Sequence, residues 1–243
     1  GAVTLSTVLI PLNIAIQVFI IIIKTCYNSL DKQSFLSYTV TMKNVIYIHG
    51  ANASSDSFNY YTLKLPEHRF MTPTYAMEDD PYDLVELLRA KKQREFGKEK
   101  IILVGHSFGG LLASWYASVY PKNIEHLVTI ATPYQGTPVA RILSMVFRNK
   151  KVFENTTPGA DVLALLQEKT FEGLHTNIVC TSGSNPLAGL GGKANDGMVS
   201  VESQSSPPAG FVNTQNSFID AGHSGVLLNN IVTEMLQKII ETP

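Results

Sequence analysis

The chain has 243 residues and a formal net charge of −1 at pH 7. This length suits one medium-sized α/β domain with an insertion or an extension, and is hardly enough for two enzymes. Because the charge leaves no basic footprint, nucleic acid is not expected as a partner. The two cysteines, Cys26 and Cys180, form no zinc or redox motif.

The N-terminal segment is strongly apolar, and residues 1–23 carry no charged side chain. Its length is enough to cross a bilayer, with Lys24 as an interfacial anchor, although Pro11 and several polar residues dilute its first half. Two interpretations stay open: attachment to a membrane surface, or a segment packed on a soluble core. We interpret residues 1–41 as an extension and residues 42–243 as the catalytic domain.

The first predicted strand covers residues 44–48 and ends in the pair His49 and Gly50. A polar loop follows over residues 51–56. Since His49 lies at a strand end, we expect it to have a hydrogen-bonded structural role rather than to act as a base. A long helix is predicted from Asp80 onwards, because acidic residues and a proline occupy its first turn and basic residues its end.

Residues 100–110 predict a buried strand, a sharp turn and the start of a helix. The turn has the sequence Gly-His-Ser-Phe-Gly with Ser107 at its apex, and Gly105 and Gly109 leave room where a side chain would collide. In this setting a G-x-S-x-G motif predicts a nucleophilic serine, lifted to where a base can reach it. The alternative is a structural serine in a glycine turn. His106, beside the nucleophile, is interpreted as a packing residue.

Strands that alternate with helices predict a mostly parallel central sheet with helices on both faces. The apolar segment 139–147 falls outside this alternation, so we interpret residues 137–172 as a lid-like insertion over the catalytic edge. Such a lid would bind acyl chains, with Met145 and Val146 in contact with the substrate. An ordinary amphipathic helix packed on the sheet is the open alternative.

Two loops near the C-terminus complete a candidate catalytic set. Asp196 lies in a glycine-rich loop after a predicted strand, and His223 lies between glycines after the next strand. The chain order serine, acid, histidine makes His223 the general base and Asp196 the group that orients it. A loop histidine that caps the last helix is the alternative for His223. Asp220 is the rival acid, but it lies too near His223 in sequence to approach from the opposite side.

Acyl transfer also needs two N–H donors directed at the developing oxyanion. One is expected from Phe108, which follows the serine, and the other from Ala51 in the loop after the first strand. Met198, two residues after the predicted acid, is a further candidate for substrate contact.

The chain resembles the α/β-hydrolase lipases, and the resemblance is closest to the bacterial triacylglycerol lipases and esterases. It rests on five motifs, which cover roughly residues 44–240: His49-Gly50, Gly105–Gly110, Ala131–Thr137, Asn195–Val199 and Gly222-His223. The resemblance implies the α/β-hydrolase fold, carboxylic ester hydrolysis through an acyl-enzyme, no cofactor and often a lid, and no residue is predicted as a metal ligand. Residues 1–41 have no counterpart in the short lipases, and the family's calcium-binding acids have no clear match here.

The sequence therefore predicts a serine hydrolase for lipid or other apolar acyl esters, with Ser107, Asp196 and His223 as its triad. Two alternatives stay open. The same triad could act on a thioester or an amide or transfer the acyl group, because fold and triad do not choose the acyl bond. A catalytically inactive, membrane-tethered interaction protein is the second, more distant alternative.

Overall fold

The structure is a computed structural model, and it describes residues 42–65, 67–76, 79–140, 154–185, 188 and 193–242. The predicted extension over residues 1–41, including the apolar segment 1–23, lies outside the described residues. Within the described ranges, no helix is long and apolar enough to cross a bilayer. Membrane attachment through residues 1–23 thus stays a prediction.

A parallel sheet forms the centre of the domain. The strands are β1 (Asn44–Ile48), β2 (Arg69–Met71), β3 (Ile101–His106), β4 (Ile124–Ile130), β5 (Thr170–Phe171), β6 (Leu174–Cys180), β7 (Gly210–Phe211) and β8 (Thr214–Ile219). Six of them pair in the order β2-β1-β3-β4-β6-β8, and each of these pairs is parallel. This arrangement agrees with the predicted parallel sheet.

Helices flank the sheet, and short 3-10 turns cover Ser55–Phe58, Pro121–Asn123 and Gly225–Leu228. The described helices with defined bounds are α1 (Asn59–Lys64), α2 (Pro81–Phe96), α3 (Phe108–Val119), α4 (Asp161–Gln167), α5 (Val201–Gln204) and α6 (Asn230–Glu241). The start of α2 follows the sequence prediction, because the side chain of Asp80 accepts a hydrogen bond from the amide of Tyr82 and a proline follows the cap.

Alternate residues of each strand point to opposite faces of the sheet and enter two separate cores. On one face Ile46 packs in a cluster with side chains of α2, α3 and α4. On the other face Tyr47 packs with side chains of α1 and α6, among them Val232 and Leu236. Both faces of β1 and β3 are buried, which explains why these strands have continuous apolar runs rather than alternating ones.

The interval predicted as a lid is described in part. In its second half, α4 buries Leu163 and Leu166 in the core beside α3, and Phe171 pairs β5 with the short strand β7. Residues 141–153 lie outside the described residues, and the lid over residues 137–172 stays a prediction. Strands β2, β5 and β7 had no sequence signal, because each has three residues or fewer.

Candidate active site

Ser107 lies in a strained turn between β3 and α3. Its backbone has φ 54° and ψ −123°, a left-handed conformation that costs a residue with a Cβ atom about 1–3 kcal/mol. The surrounding structure holds the turn through hydrogen bonds from the Ser107 amide to the carbonyl of Ile130 (2.8 Å) and from the Gly110 amide to the carbonyl of Ser107 (2.9 Å). The side chain is thereby held at the carboxyl edge of the sheet.

Close backbone contacts explain the two glycines of the motif. A Cβ atom on Gly105 would lie 2.4 Å from the carbonyl oxygen of Gly109, and one on Gly109 would lie 2.2 Å from the carbonyl oxygen of Ile48. Both distances are far below van der Waals contact, and the atoms met are backbone atoms that cannot rotate away. The first helical turn of α3 can approach β1 and β3 only because these side chains are absent.

The structure brings together Ser107, Asp196 and His223, although Ser107 and His223 are 116 positions apart in the chain. His223 Nε2 lies 3.0 Å from Ser107 Oγ, and His223 Nδ1 lies 2.7 Å from Asp196 Oδ2. Since a carboxylate can only accept, Nδ1 carries the proton toward Asp196 and Nε2 presents its lone pair to the serine hydroxyl. These residues follow β3, β6 and β8, and parallel strands place their carboxyl ends along one edge of the sheet.

The carboxylate of Asp196 is completely buried and is held on both oxygens. Its Oδ1 accepts hydrogen bonds from the amides of Met198 (2.9 Å) and Val199 (2.7 Å), while Oδ2 accepts from His223. A buried carboxylate is tolerable only when it is hydrogen-bonded in this way. The amide of His223 also donates to the carbonyl of Asp196 at 2.8 Å, so the two loops are joined through backbone as well as side chains.

Gln204 is a site-supporting residue that sequence reasoning missed. Its buried amide accepts from the backbone N–H of Cys180 (2.7 Å) and donates to the carbonyls of Cys180 (3.1 Å) and Val199 (3.2 Å). It thereby ties the loop of Asp196 to the end of β6. No local motif identifies such a residue, because its partners come from elements that only the fold brings together.

A cleft opens above the serine. Its described lining includes Ala51, Phe108 and Met198 together with Ser107 and His223. The structure thus places both predicted oxyanion donors and one predicted substrate contact around the candidate nucleophile. The other five described lining residues are small or apolar: Pro133, Thr137, Ala140, Thr156 and Val199. The other two predicted substrate contacts, Met145 and Val146, lie outside the described residues.

The remaining histidines near the site are buried and held in the neutral form. His106 donates from Nε2 to the carbonyl of His223 at 2.8 Å, and burial lowers its pKa to about 3. His49 bonds through Nδ1 to the carbonyl of Gly50 at 2.9 Å, and burial lowers its pKa as well. His49 is therefore hydrogen-bonded at the end of β1, as expected from the sequence.

Asp220, the rival acid, is exposed and has no described contact with His223. Among the described residues, no group of three or more histidine, cysteine or acidic side chains could hold a metal ion.

Comparison with known sequences finds distant similarity to proteins of the α/β-hydrolase fold. The family described as "alpha/beta hydrolase fold" matches residues 43–157. A homoserine O-acetyltransferase of Thermus thermophilus is 33% identical over 76 residues, which are 30% of this chain and 20% of that protein. A triacylglycerol lipase of Pseudarthrobacter phenanthrenivorans is 28% identical over 127 residues, which are 46% of this chain and 40% of that protein. The chain therefore spans less than half the length of these curated relatives.

Among solved structures, a Bacillus licheniformis lipase, BlEst2, in its mature form superposes with a TM-score of 0.63 at 17% sequence identity. The match covers 83% of this chain and 93% of that one. The protein therefore has the α/β-hydrolase fold, with a mostly parallel central sheet and flanking helices, as the sequence predicted. Its distant relatives include both hydrolases and acyltransferases.

Proposed function

We propose that the protein is a serine hydrolase that cleaves carboxylic esters with apolar acyl groups through an acyl-enzyme intermediate. The observation that carries this proposal is the continuous hydrogen-bonded chain from Ser107 through His223 to Asp196, with distances of 3.0 and 2.7 Å. A serine hydroxyl at its ordinary pKa is a weak nucleophile, and such a chain supplies the base that activates it.

In the acylation step, Ser107 Oγ forms a bond to the ester carbonyl carbon while His223 Nε2 takes the hydroxyl proton. The imidazolium that results is stabilised by Asp196, which also keeps the ring in the reactive tautomer. When the tetrahedral intermediate collapses, the bond from carbon to the alcohol oxygen breaks. His223 then gives its proton to that oxygen, and the alcohol leaves.

The amides of Ala51 and Phe108 are the proposed oxyanion hole. Both residues line the cleft that contains Ser107, and Phe108 is the first residue of the 12-residue helix α3. The first amides of a helix lack intrahelical partners and lie at the positive end of its dipole, so they stabilise negative charge on the former carbonyl oxygen. A helix at this position supports the role proposed for Phe108.

Deacylation repeats these steps with water as the nucleophile, and His223 returns the proton to Ser107 as the acid product leaves. The largely apolar described lining of the cleft supports an apolar acyl group. Met198 is the proposed acyl contact, and its carbonyl is held by the hydroxyl of Thr137. Met145 and Val146 are proposed as further contacts of the acyl group, and both lie outside the described residues.

The test is hydrolysis of p-nitrophenyl butyrate by the full chain and by the Ser107→Ala variant. We expect turnover in the parent and a loss of at least about 10³-fold in the variant, the scale seen when a triad member is removed. A fluorophosphonate probe should label the parent at Ser107 and leave the variant unlabelled. The variant should show the parent's circular dichroism spectrum and melting temperature within a few degrees, so that the loss is not one of folding.

Retained turnover in Ser107→Ala would contradict the proposal.

A second experiment identifies the acyl bond that the enzyme cleaves. A panel of butyryl substrates with alcohol, thiol and amine leaving groups separates an esterase from a thioesterase or an amidase. Addition of an alcohol acceptor separates hydrolysis from acyl transfer, since transfer yields a new ester in place of butyrate.

A further inference from the structure

The buried carboxylate of Asp196 accepts hydrogen bonds from two backbone amides of its own loop. Its Oδ1 accepts from the amide of Met198 at 2.9 Å and from the amide of Val199 at 2.7 Å, while Oδ2 faces His223. Each of these amides shares a peptide group with the carbonyl of the preceding residue, Gly197 for the first and Met198 for the second. The orientation of the acid therefore depends on how these two peptide groups are held.

Side chains more distant in the chain hold both carbonyls. The side-chain amide of Asn185 donates to the carbonyl of Gly197 at 2.8 Å, and the hydroxyl of Thr137 donates to the carbonyl of Met198. Each peptide group thus accepts a hydrogen bond on its oxygen and donates one from its nitrogen to Asp196. Two separate chains of hydrogen bonds, one from Asn185 and one from Thr137, meet on the same carboxylate oxygen.

Such a chain affects the carboxylate in two ways. A hydrogen bond accepted by a peptide oxygen polarises the peptide group and strengthens the bond that its N–H donates. It also opposes rotation of the peptide group, so that the N–H stays directed at Oδ1. Two fixed donors on Oδ1 set the plane of the carboxylate, and this plane sets where Oδ2 lies relative to His223 Nδ1, 2.7 Å away.

Thr137 is fixed in the segment that follows β4. Its amide donates to the carbonyl of Thr156 at 2.8 Å, and its hydroxyl oxygen accepts from the amide of Val139 at 3.3 Å. A hydroxyl has a single proton to donate, and here that proton is directed at the carbonyl of Met198. Although Thr137 lines the catalytic cleft, its hydroxyl proton is therefore engaged with the acid loop rather than with a substrate.

Asn185 follows β6 on a segment that packs directly against the acid loop. Two residues before it, Gly183 pairs with Asn195 in an antiparallel bridge. A Cβ atom on Gly183 would lie 1.9 Å from the backbone nitrogen of Gly197, so the two backbones approach this closely only because the position is a glycine. This approach brings the Asn185 amide within reach of the Gly197 carbonyl.

From these two chains we propose that Thr137 and Asn185 are positioning residues, which hold the peptide groups that orient Asp196 toward His223. The inference rests on the proposed function and adds two residues to the machinery of the same site. Each acts through one peptide group and then through Asp196. When either donor is lost, its peptide group turns more freely and His223 spends less time in the orientation that accepts the Ser107 proton. The value of kcat therefore falls, while substrate binding is retained.

The first test compares Thr137→Val, which keeps the side-chain shape but removes the hydroxyl, with Thr137→Ser, which keeps the hydroxyl. With p-nitrophenyl butyrate we expect kcat of Thr137→Val to fall by about three- to tenfold, the scale of one lost hydrogen bond, and KM to change by less than about twofold. Thr137→Ser should recover most of the loss. Thr233→Val is the matched control, because the buried Thr233 hydroxyl also donates to a backbone carbonyl, that of Asn229 at 3.0 Å, but lies on α6. Its kcat should equal that of the parent.

Asn185→Ala tests the other peptide group independently of Thr137. Its kcat should also fall by about three- to tenfold, since one hydrogen bond is again removed. Asn213→Ala is the control, because the Asn213 side-chain amide likewise donates to a backbone carbonyl, that of Glu172, at an exposed position. Its kcat should not change.

A third measurement separates positioning from a general structural effect. In an Asp196→Asn background the carboxylate that the two chains orient is absent, so Thr137→Val or Asn185→Ala should lower kcat further by less than about twofold. A purely structural role would lower kcat by the same factor in both backgrounds.

The positioning inference is wrong if neither single variant lowers kcat, or if the factors are equal in both backgrounds. The proposed function still stands in that case, provided that the parent turns over the ester and is labelled at Ser107 by the fluorophosphonate probe. A parent that shows neither turnover nor labelling contradicts the proposed function instead.

Discussion

His106 Nε2 donates a hydrogen bond to the backbone carbonyl of His223 at 2.8 Å, which ties the residue beside the candidate nucleophile to the candidate base. The two rings lie with centroids 4.9 Å apart, and His106 Nδ1 has no hydrogen-bond partner within the part of the chain that the structure describes. The interpretation of His106 as packing alone is therefore incomplete, because its donor also fixes the loop that carries His223.

Replacing His106 should slow the reaction without changing the catalytic groups themselves. His106→Phe keeps the ring volume but loses the donor, so we expect kcat/KM for p-nitrophenyl butyrate to fall by about tenfold, the value of one hydrogen bond. His106→Gln places an amide nitrogen at a similar reach and should recover most of that loss. Equal activity in His106→Phe and the parent would show that the bond to His223 does not position the base.

The identity of the acid is tested by a pair of isosteric substitutions. Asp196→Asn preserves the acceptor for the Met198 and Val199 amides but removes the charge that stabilises the His223 imidazolium, so kcat should fall by about 10³- to 10⁴-fold. Asp220→Asn, at an exposed position, should change kcat by less than about twofold. If the two effects were reversed, Asp220 would be the orienting acid.

The turn at Ser107 should tolerate no side chain at Gly109. A Cβ atom there would meet the Ile48 carbonyl oxygen at 2.2 Å, so Gly109→Ala must push α3 away from β1. We expect a loss of about 3 kcal/mol or more in the free energy of unfolding, measured by chemical denaturation. Gly225→Ala is the control, since nothing lies within 4 Å of its Cβ position, and it should be neutral or slightly stabilising. Unchanged stability of Gly109→Ala would mean that the two elements are less tightly packed than described.

Buried neutral histidines should make stability depend on pH. Burial lowers the pKa of His175 from 6.5 to about 3, while hydroxyls of Thr129 and Thr214 hold its two nitrogens at 2.8 Å. Below pH 6.5 the unfolded chain takes up a proton at this residue that the folded protein does not bind. The free energy of unfolding therefore falls as the pH decreases from 6.5 toward 3.

At pH 5 this single imidazole should lower the free energy of unfolding by about 2 kcal/mol relative to pH 7. His175→Gln, which retains a donor and an acceptor, lacks this titration. Denaturant unfolding at the two pH values should show the gap between parent and variant shrinking by that amount. A gap that does not depend on pH would mean that the folded protein also protonates His175.

The predictions that succeeded from sequence concern local features. The turn at Ser107 was predictable because its glycines, the apolar strand before it and the helix after it are all within twenty residues. The triad could be predicted from the chain order of serine, acid and histidine for a related reason. Each of them follows a strand, and parallel strands place their carboxyl ends at a common edge.

The contacts that complete the site come from the tertiary structure. The stacking of His49 on Tyr75 and the amide of Gln204 that holds the acid loop both join residues distant in the chain. No periodicity or motif encodes such pairs, since they depend on how loops from different strands meet in three dimensions. Sequence by itself determined which residue types follow which strands, because that depends on local backbone chemistry. Only the fold decided which of them touch, because distance in space is set by packing.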